Sequence, residues 1–211
     1  MIVHTKPKYI ISICIIILLL CCCFAGCVST DNASRNDRVD FGNSSVLVVY
    51  FSASGNTETI AGYIKSYLNT DLQEIVPTNR YTSADLNWNN SNSRVNAEHN
   101  ASVNNDSLSP YFRPEFVKSF DTISSYDIIF LGYPIWWGEA PNIIYSFLEE
   151  YGGELSQKTI IPFCTSSSSG VGQSAEHLHS LVPSATWFTG KRFSGSASID
   201  SVNEWLESLK K

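Results

Sequence analysis

From residue 45 onward the chain alternates short β-branched apolar runs with segments of helical periodicity, five times over, and this rhythm constrains the fold more than any other feature. Residues 45–51 read Ser-Val-Leu-Val-Val-Tyr-Phe, apolar at consecutive rather than alternate positions. A strand buried on both faces of a parallel sheet has that pattern. Residues 58–68 follow with Ile60, Ala61, Ile64, Tyr67 and Leu68 at helical spacing, and 71–77 alternate in polarity as a strand near a sheet edge does. The same reading predicts strands at 126–132, 159–163 and 185–189, and helices at 115–123, 142–151, 173–181 and 199–209. Strand and helix in strict alternation imply an α/β domain, a doubly wound five-stranded parallel sheet with helices on both faces. In such sheets ligands bind beyond the carboxyl ends of the strands. The loops after strands one, three and four are therefore where chemistry is expected.

One stretch breaks the rhythm. Residues 78–114 are rich in Asn and Ser and poor in aliphatics, and they carry Tyr81, Trp88, Arg94, His99, Tyr111 and Arg113. A loop of this length inside a compact domain is more often functional than incidental.

Ahead of the domain, Lys6 and Lys8 precede an almost unbroken apolar run over 9–25. At about 17 residues it is short for a bilayer span of ~20 and long for a signal core. Its ending, Phe24-Ala25-Gly26-Cys27, resembles the lipobox of prokaryotic lipoproteins, with Phe where Leu is more usual. The resemblance implies a signal peptide over 1–26, cleavage before Cys27, and lipidation of that cysteine. The Ser-, Thr- and Asn-rich residues 27–44 then form a flexible tether, and 45–211 the folded domain. An uncleaved anchor and a secreted form are the alternatives. Each places the domain outside the cytoplasm, and the first two leave it attached to a membrane.

Cysteine usage follows from that division. Five of the six cysteines, at 14, 21, 22, 23 and 27, lie at or before the cleavage point, leaving Cys164 alone in the domain. With no disulfide framework, the domain must stand on its apolar core. Cys164 reads as a small buried residue at a strand end, since no cationic partner lies near it in sequence. The net charge of −6 becomes −8 once the two leader lysines are lost. That charge argues against nucleic acid as a partner, which demands clustered Lys and Arg, whereas it suits a basic partner surface or simple solubility.

The first loop, Ser52-Ala53-Ser54-Gly55-Asn56-Thr57, opens directly into a helix. Small hydroxyl residues, a glycine and a helix N-terminus make an anion cradle of main-chain N–H groups. No Lys follows, so a nucleoside-triphosphate loop fits poorly, and the glycine spacing of dinucleotide sites is absent. A terminal monophosphate held by neutral donors fits; an ordinary helix cap is the plainer alternative. In the second loop, Pro134-Ile135-Trp136-Trp137-Gly138 places two adjacent indoles at a strand end. Neighbouring residues do not face the same way, so one Trp is expected to cover a flat ligand and the other to pack; both packing into a core or interface is the plainer reading. His177 and His179, two apart on a helix, read as surface or packing residues, and Glu139 as an acid near a helix start.

Taken together, Tyr50-Phe51-Ser52-Ala53-Ser54-Gly55-Asn56-Thr57 resembles the phosphate loop of flavodoxins, with Ser54 where Thr is commoner. Gly132-Tyr133-Pro134-Ile135-Trp136-Trp137-Gly138, followed by Pro141, is similar to a microbial flavodoxin-like subgroup, as is 162–166 through Gly170-Val171-Gly172-Gln173-Ser174. The resemblance spans roughly 45–210 and implies strand order 2-1-3-4-5 and bound FMN. It implies cofactor contacts from Ser52, Ala53, Ser54, Gly55, Asn56 and Thr57, from Pro134, Ile135, Trp136, Trp137 and Gly138, and from Thr165, Ser166 and Gly170. Ser167 and Ser168 stand where that subgroup often has glycine. The activity implied is electron transfer with a redox partner protein. An FMN-dependent reductase passing electrons from NAD(P)H to a small quinone-like acceptor, and a flavin-free interaction module, are the rivals.

Overall fold

The computed structural model describes residues 38–211. The predicted signal peptide, Cys27 and the tether as far as 37 lie outside the described residues. Strand β1 (Val46–Tyr50) lies between β2 (Asp71–Glu74) and β3 (Ile128–Pro134), and β4 (Thr159–Thr165) follows β3, all parallel. Helices α1 (Asn56–Leu68), α2 (Arg94–Val103), α3 (Asn142–Tyr151), α4 (Ser174–His179) and α5 (Ile199–Ser208) complete the regular structure with two short strands, β5 (Thr186–Trp187) and β6 (Lys191–Phe193). The strand order is β2-β1-β3-β4-β5, as the resemblance implies.

Successive residues of a strand point to opposite faces, so the consecutive apolar runs supply two cores at once. Leu47, Val49, Ile129, Leu131, Tyr133 and Ile160 face one core, with Ile143, Phe147 and Leu148 of α3 and Leu178 of α4. Val46, Val48, Ile128, Phe130, Ile161 and Phe163 face the other, with Ile60, Ala61 and Ile64 of α1 and Val202, Trp205 and Leu206 of α5. Each large side chain buried in this way contributes about 1.5–3 kcal/mol. Among the described residues no helix is long and apolar enough to cross a membrane.

Four expectations need correction. The fifth sheet position, expected as one strand over 185–189, is shared by two. β5 pairs with Thr159 and Ile160, and β6 with Phe163, Cys164 and Thr165. The break falls beside Pro162, which has no N–H to give a ladder. No helix forms over 115–123. Phe116, Phe120 and Ile123 are buried at helix-like spacing, but the backbone there is extended: Val117 N–H donates to Val76 O, and Pro77 pairs with Phe116. Only a 3-10 turn follows, at Ile123–Ser125. Residues 78–114, expected to be a loop, contain the ten-residue helix α2. Finally, the packed domain starts ahead of residue 45. Val39 is buried and its N–H donates to Leu209 O at 2.7 Å, while Phe41 stacks on Phe130. Residues 39–44 therefore belong to the fold rather than to a flexible tether.

Cys164 is fully buried, as expected, and burial pushes its thiol up to about 12. Close by, the β3–β4 contact leaves no room for a side chain at Gly132: a Cβ there would meet Phe163 Cζ at 2.2 Å. Gly132→Ala is expected to lower stability by about 1–3 kcal/mol through overpacking. Urea unfolding measures this, and an unchanged midpoint would show that the two strands can part without cost.

Candidate functional site

Loop one is built by Gly55, whose φ of 85° lies in the left-handed region and turns the chain from β1 into α1. Its N–H donates to Ser52 Oγ at 3.1 Å, and its carbonyl accepts from Thr59 N–H at 3.0 Å. Asn56 Nδ2 donates to Ser54 Oγ. Among the described residues the N–H groups of Ala53, Ser54, Asn56 and Thr57 have no protein acceptor. They surround the N-terminus of a 13-residue helix, where the macrodipole favours an anion. Thr57 is buried, and its hydroxyl lies 2.8 Å from that of Thr165, so this pair ties loop one to the end of β4.

Loop two is a tight turn. Trp136 and Glu139 exchange both main-chain bonds, at 3.0 and 2.9 Å, and the two residues between them, Trp137 and Gly138, have φ of 50° and 84°. Positive φ at both central positions is the mirror-image turn of hairpins, costly for a tryptophan. The indoles part as expected. Trp136 packs edge-on against Phe51 at 5.8 Å and Tyr81 at 5.5 Å between ring centres. Trp137 is 43% exposed. Glu139 is not merely a helix-start acid: its carboxylate lies 2.8 Å from His177 Nδ1 and links loop two to α4.

Between loops one and two opens a cleft of about 480 Å³, walled by Ala53, Ser54, Pro134, Ile135, Trp136 and Trp137. Leu86, Trp88 and Val95 of the 78–114 insert close its remaining side. Loop three stands apart from it. Ser166 Oγ accepts from Ser168 and Ser169 N–H within the loop, and Ser166 O accepts from Arg192. Gly170 faces open space apart from Gly172 N, 3.9 Å from where its Cβ would lie, and Gly172 approaches Gly138 O. Loops two and three thus meet at their tips, while Thr165 touches loop one through Thr57.

The model of the family described as flavodoxin matches residues 45–209. The chain belongs to the flavodoxin family. It is 38% identical to a protein from Bacteroides eggerthii provisionally assigned as a flavoprotein, covering 79% of this chain and 98% of that one, with a TM-score of 0.68. A counterpart from Bacteroides uniformis, with the same provisional assignment, is 34% identical, with 78% and 98% covered and a TM-score of 0.67. A flavoprotein from Lactobacillus acidophilus, solved in complex with FMN, is 20% identical, with 77% and 99% covered and a TM-score of 0.58, a likeness of fold. No curated protein matches.

What sequence reasoning missed in this flavodoxin is how the insert is mounted. Glu98 on α2 is 2% exposed. It accepts from Tyr81 Oη at 2.8 and 2.9 Å and from Arg94 Nε at 2.7 Å, and the Arg94 guanidinium lies 3.8 Å over the Tyr81 ring. Asn142, at the start of α3, donates to Glu98 O and Tyr111 O and accepts from Ser102 Oγ. Tyr81 then carries the network to Trp136. The only signal in the sequence was the i,i+4 spacing of Arg94 and Glu98.

Burial holds the Glu98 carboxyl above its ordinary value of 4.5, against the opposing pull of Tyr81 and Arg94. Burial likewise pushes the Tyr81 hydroxyl well up. A carboxyl whose value is raised by folding binds its proton more tightly in the native state. Its contribution is therefore full below 4.5 and is lost as pH rises through the folded value. The stability of the wild type relative to Glu98→Gln is expected to fall as pH rises from about 4 to about 7. Urea midpoints of both proteins across that range check it; a gap that widens with pH would reverse the assignment.

Proposed function

We propose that this flavodoxin binds FMN across the cleft between loops one and two and passes electrons to a redox partner protein outside the cytoplasm, held at a membrane by lipid on Cys27. The observation that carries the reading is the set of unpaired main-chain N–H groups at Ala53, Ser54, Asn56 and Thr57, capping a helix beside an aromatic-walled cleft. These neutral donors fit a terminal monophosphate, with Ser54 Oγ in reach to add a donor. Gly55 fits too, since nothing lies within 4 Å of its outward side. The Bacteroides relatives, provisionally flavoproteins, and the FMN complex of the Lactobacillus protein support the same cofactor.

Bound FMN would supply one- and two-electron chemistry. The chain's own residues bind, orient and screen. Loop one fixes the phosphate end, and Pro134, Ile135 and Trp136 line the path from it. Trp136, packed on Phe51 and Tyr81, is a rigid floor, while Trp137 at the turn tip offers its face to a flat ring. The net charge, −6 for the whole chain and more negative once the leader lysines are lost, disfavours added negative charge on a bound ring and suits docking to a basic partner.

The insert favours a second reading, an FMN-dependent reductase of small quinone-like acceptors. Leu86, Trp88 and Val95 add an apolar wall to the cleft, as a small planar substrate requires. Turnover with NAD(P)H and a quinone would establish the reductase; rapid exchange with a protein partner and no turnover would establish the carrier.

The purified full-length protein is expected to be yellow, and FMN added to stripped protein should raise its thermal midpoint. Ser54→Ala, which removes one phosphate donor, should weaken FMN binding about tenfold or more. Colourless protein whose midpoint ignores micromolar FMN would refute the cofactor assignment. Cys27→Ser is expected to abolish incorporation of labelled palmitate in a lipoprotein-processing host; undiminished labelling would refute the anchor.

A further inference from the structure

One face of the exposed indole is already occupied. The His99 imidazole lies parallel to the Trp137 ring, 4.5 Å between centres and 11° between planes. Among the described residues it is the one aromatic ring packed on Trp137. His99 lies on α2, directly after Glu98. Successive helix residues point about 100° apart, so Glu98 turns inward to Tyr81 and Arg94 while His99 emerges toward loop two. The mount beneath it is firm: Glu98 is buried and bonded to the partly buried Arg94 and Tyr81, and Asn142 of α3 bonds both to Glu98 O and to Ser102.

Trp137 also divides two spaces. It borders the cleft of about 480 Å³ that touches loop one, and a second cavity of about 330 Å³ on the insert side. His99 lines only the second. The imidazole therefore packs on the indole from the cavity that no loop-one residue lines, and among the described residues no second ring packs on Trp137. A large side chain 43% exposed on a turn tip keeps rotamer freedom unless a neighbour limits it, and ordering it on binding would cost affinity.

We propose that His99 is a positioning residue: it clamps the outer face of Trp137 so that the inner face stands as a preformed wall for the flat ring in the cleft, which makes the insert part of the cofactor site. The proposal rests on the FMN reading above and adds that α2, not only the three sheet loops, sets the affinity.

The test uses the full-length protein in detergent and the quenching of FMN fluorescence on binding. It compares the wild type with His99→Ala, His99→Phe, Trp137→Ala and the His99→Ala/Trp137→Ala pair. His99→Ala is expected to weaken binding by up to about tenfold, the scale of one aromatic contact, and His99→Phe to return it to within about threefold of wild type. In the Trp137→Ala background His99→Ala should add nothing, because its effect passes through the indole. Equal losses in both backgrounds, or wild-type affinity in His99→Ala, would overturn the proposal. A second readout needs no cofactor. Indole emission of flavin-free protein should change in His99→Ala, and the change should vanish when Trp137 is absent; unchanged emission overturns the stack. Should His99→Ala fail to fold, His99→Phe decides alone: near-wild-type affinity supports the clamp, and a tenfold loss rejects it. Should the wild type bind no FMN, the cofactor reading fails on its own, and the emission comparison still judges the stack.

Discussion

A parallel sheet covered by helices on both faces can meet a ligand only at its ends, and the place of the candidate site in this chain follows from that constraint. The consecutive apolar residues of β1, β3 and β4 leave no strand face open. The carboxyl ends of those strands, where the chain must turn into loops and helices, become the one rim at which main-chain N–H groups and side chains can gather. At the end of β1 the helix starts before its first amides find acceptors, so a site for an anion arises from backbone geometry rather than from any charged residue.

The second loop shows strain placed where it is useful. Trp137 adopts a backbone conformation that disfavours side chains, in a turn closed by Trp136 and Glu139 and secured to α4 through His177. A surrounding structure that over-determines such a residue can hold it against a cost of roughly 1–3 kcal/mol. The result is that adjacent indoles part, one partly buried against Phe51 and Tyr81 and one exposed at the turn tip. The insert then fastens to this arrangement from outside, through the buried Glu98 carboxylate together with the ring contacts of Tyr81 and His99. That choice fixes one geometry, since a half-satisfied network would be worse than none.

The parallel sheet was legible because it rests on the densest signal in the chain, runs such as 46–51 and 128–133 that suit burial on two faces, whereas its strand order came from the resemblance to flavodoxins. The turn of loop one was legible for a related reason: a glycine flanked by hydroxyl residues after such a run suits a strand passing into a helix. What failed was local. Helix α2 went unread because its buried face offers Val95, Glu98 and Ala101, a pattern in which a carboxylate takes the place of an apolar residue. Residues 115–123 misled in the opposite sense, with Phe116, Phe120 and Ile123 at helical spacing by coincidence of a return along the core. Tyr81, Arg94, Glu98 and His99 become part of the site only through contacts between segments distant from the sheet loops, and no pattern along the chain announces those. The split of the fifth strand depends on Pro162 in its neighbour, again a pairing and not a local property.

The central claim is that loop one holds a phosphate monoester by its main-chain amides. Binding of FMN and of riboflavin, which share the ring and differ in that phosphate, tests it most directly. The account predicts that FMN binds at least about a hundredfold more tightly, as two or more charge-assisted hydrogen bonds require. Equal affinity for the two would mean that the cradle plays no part in holding the ligand.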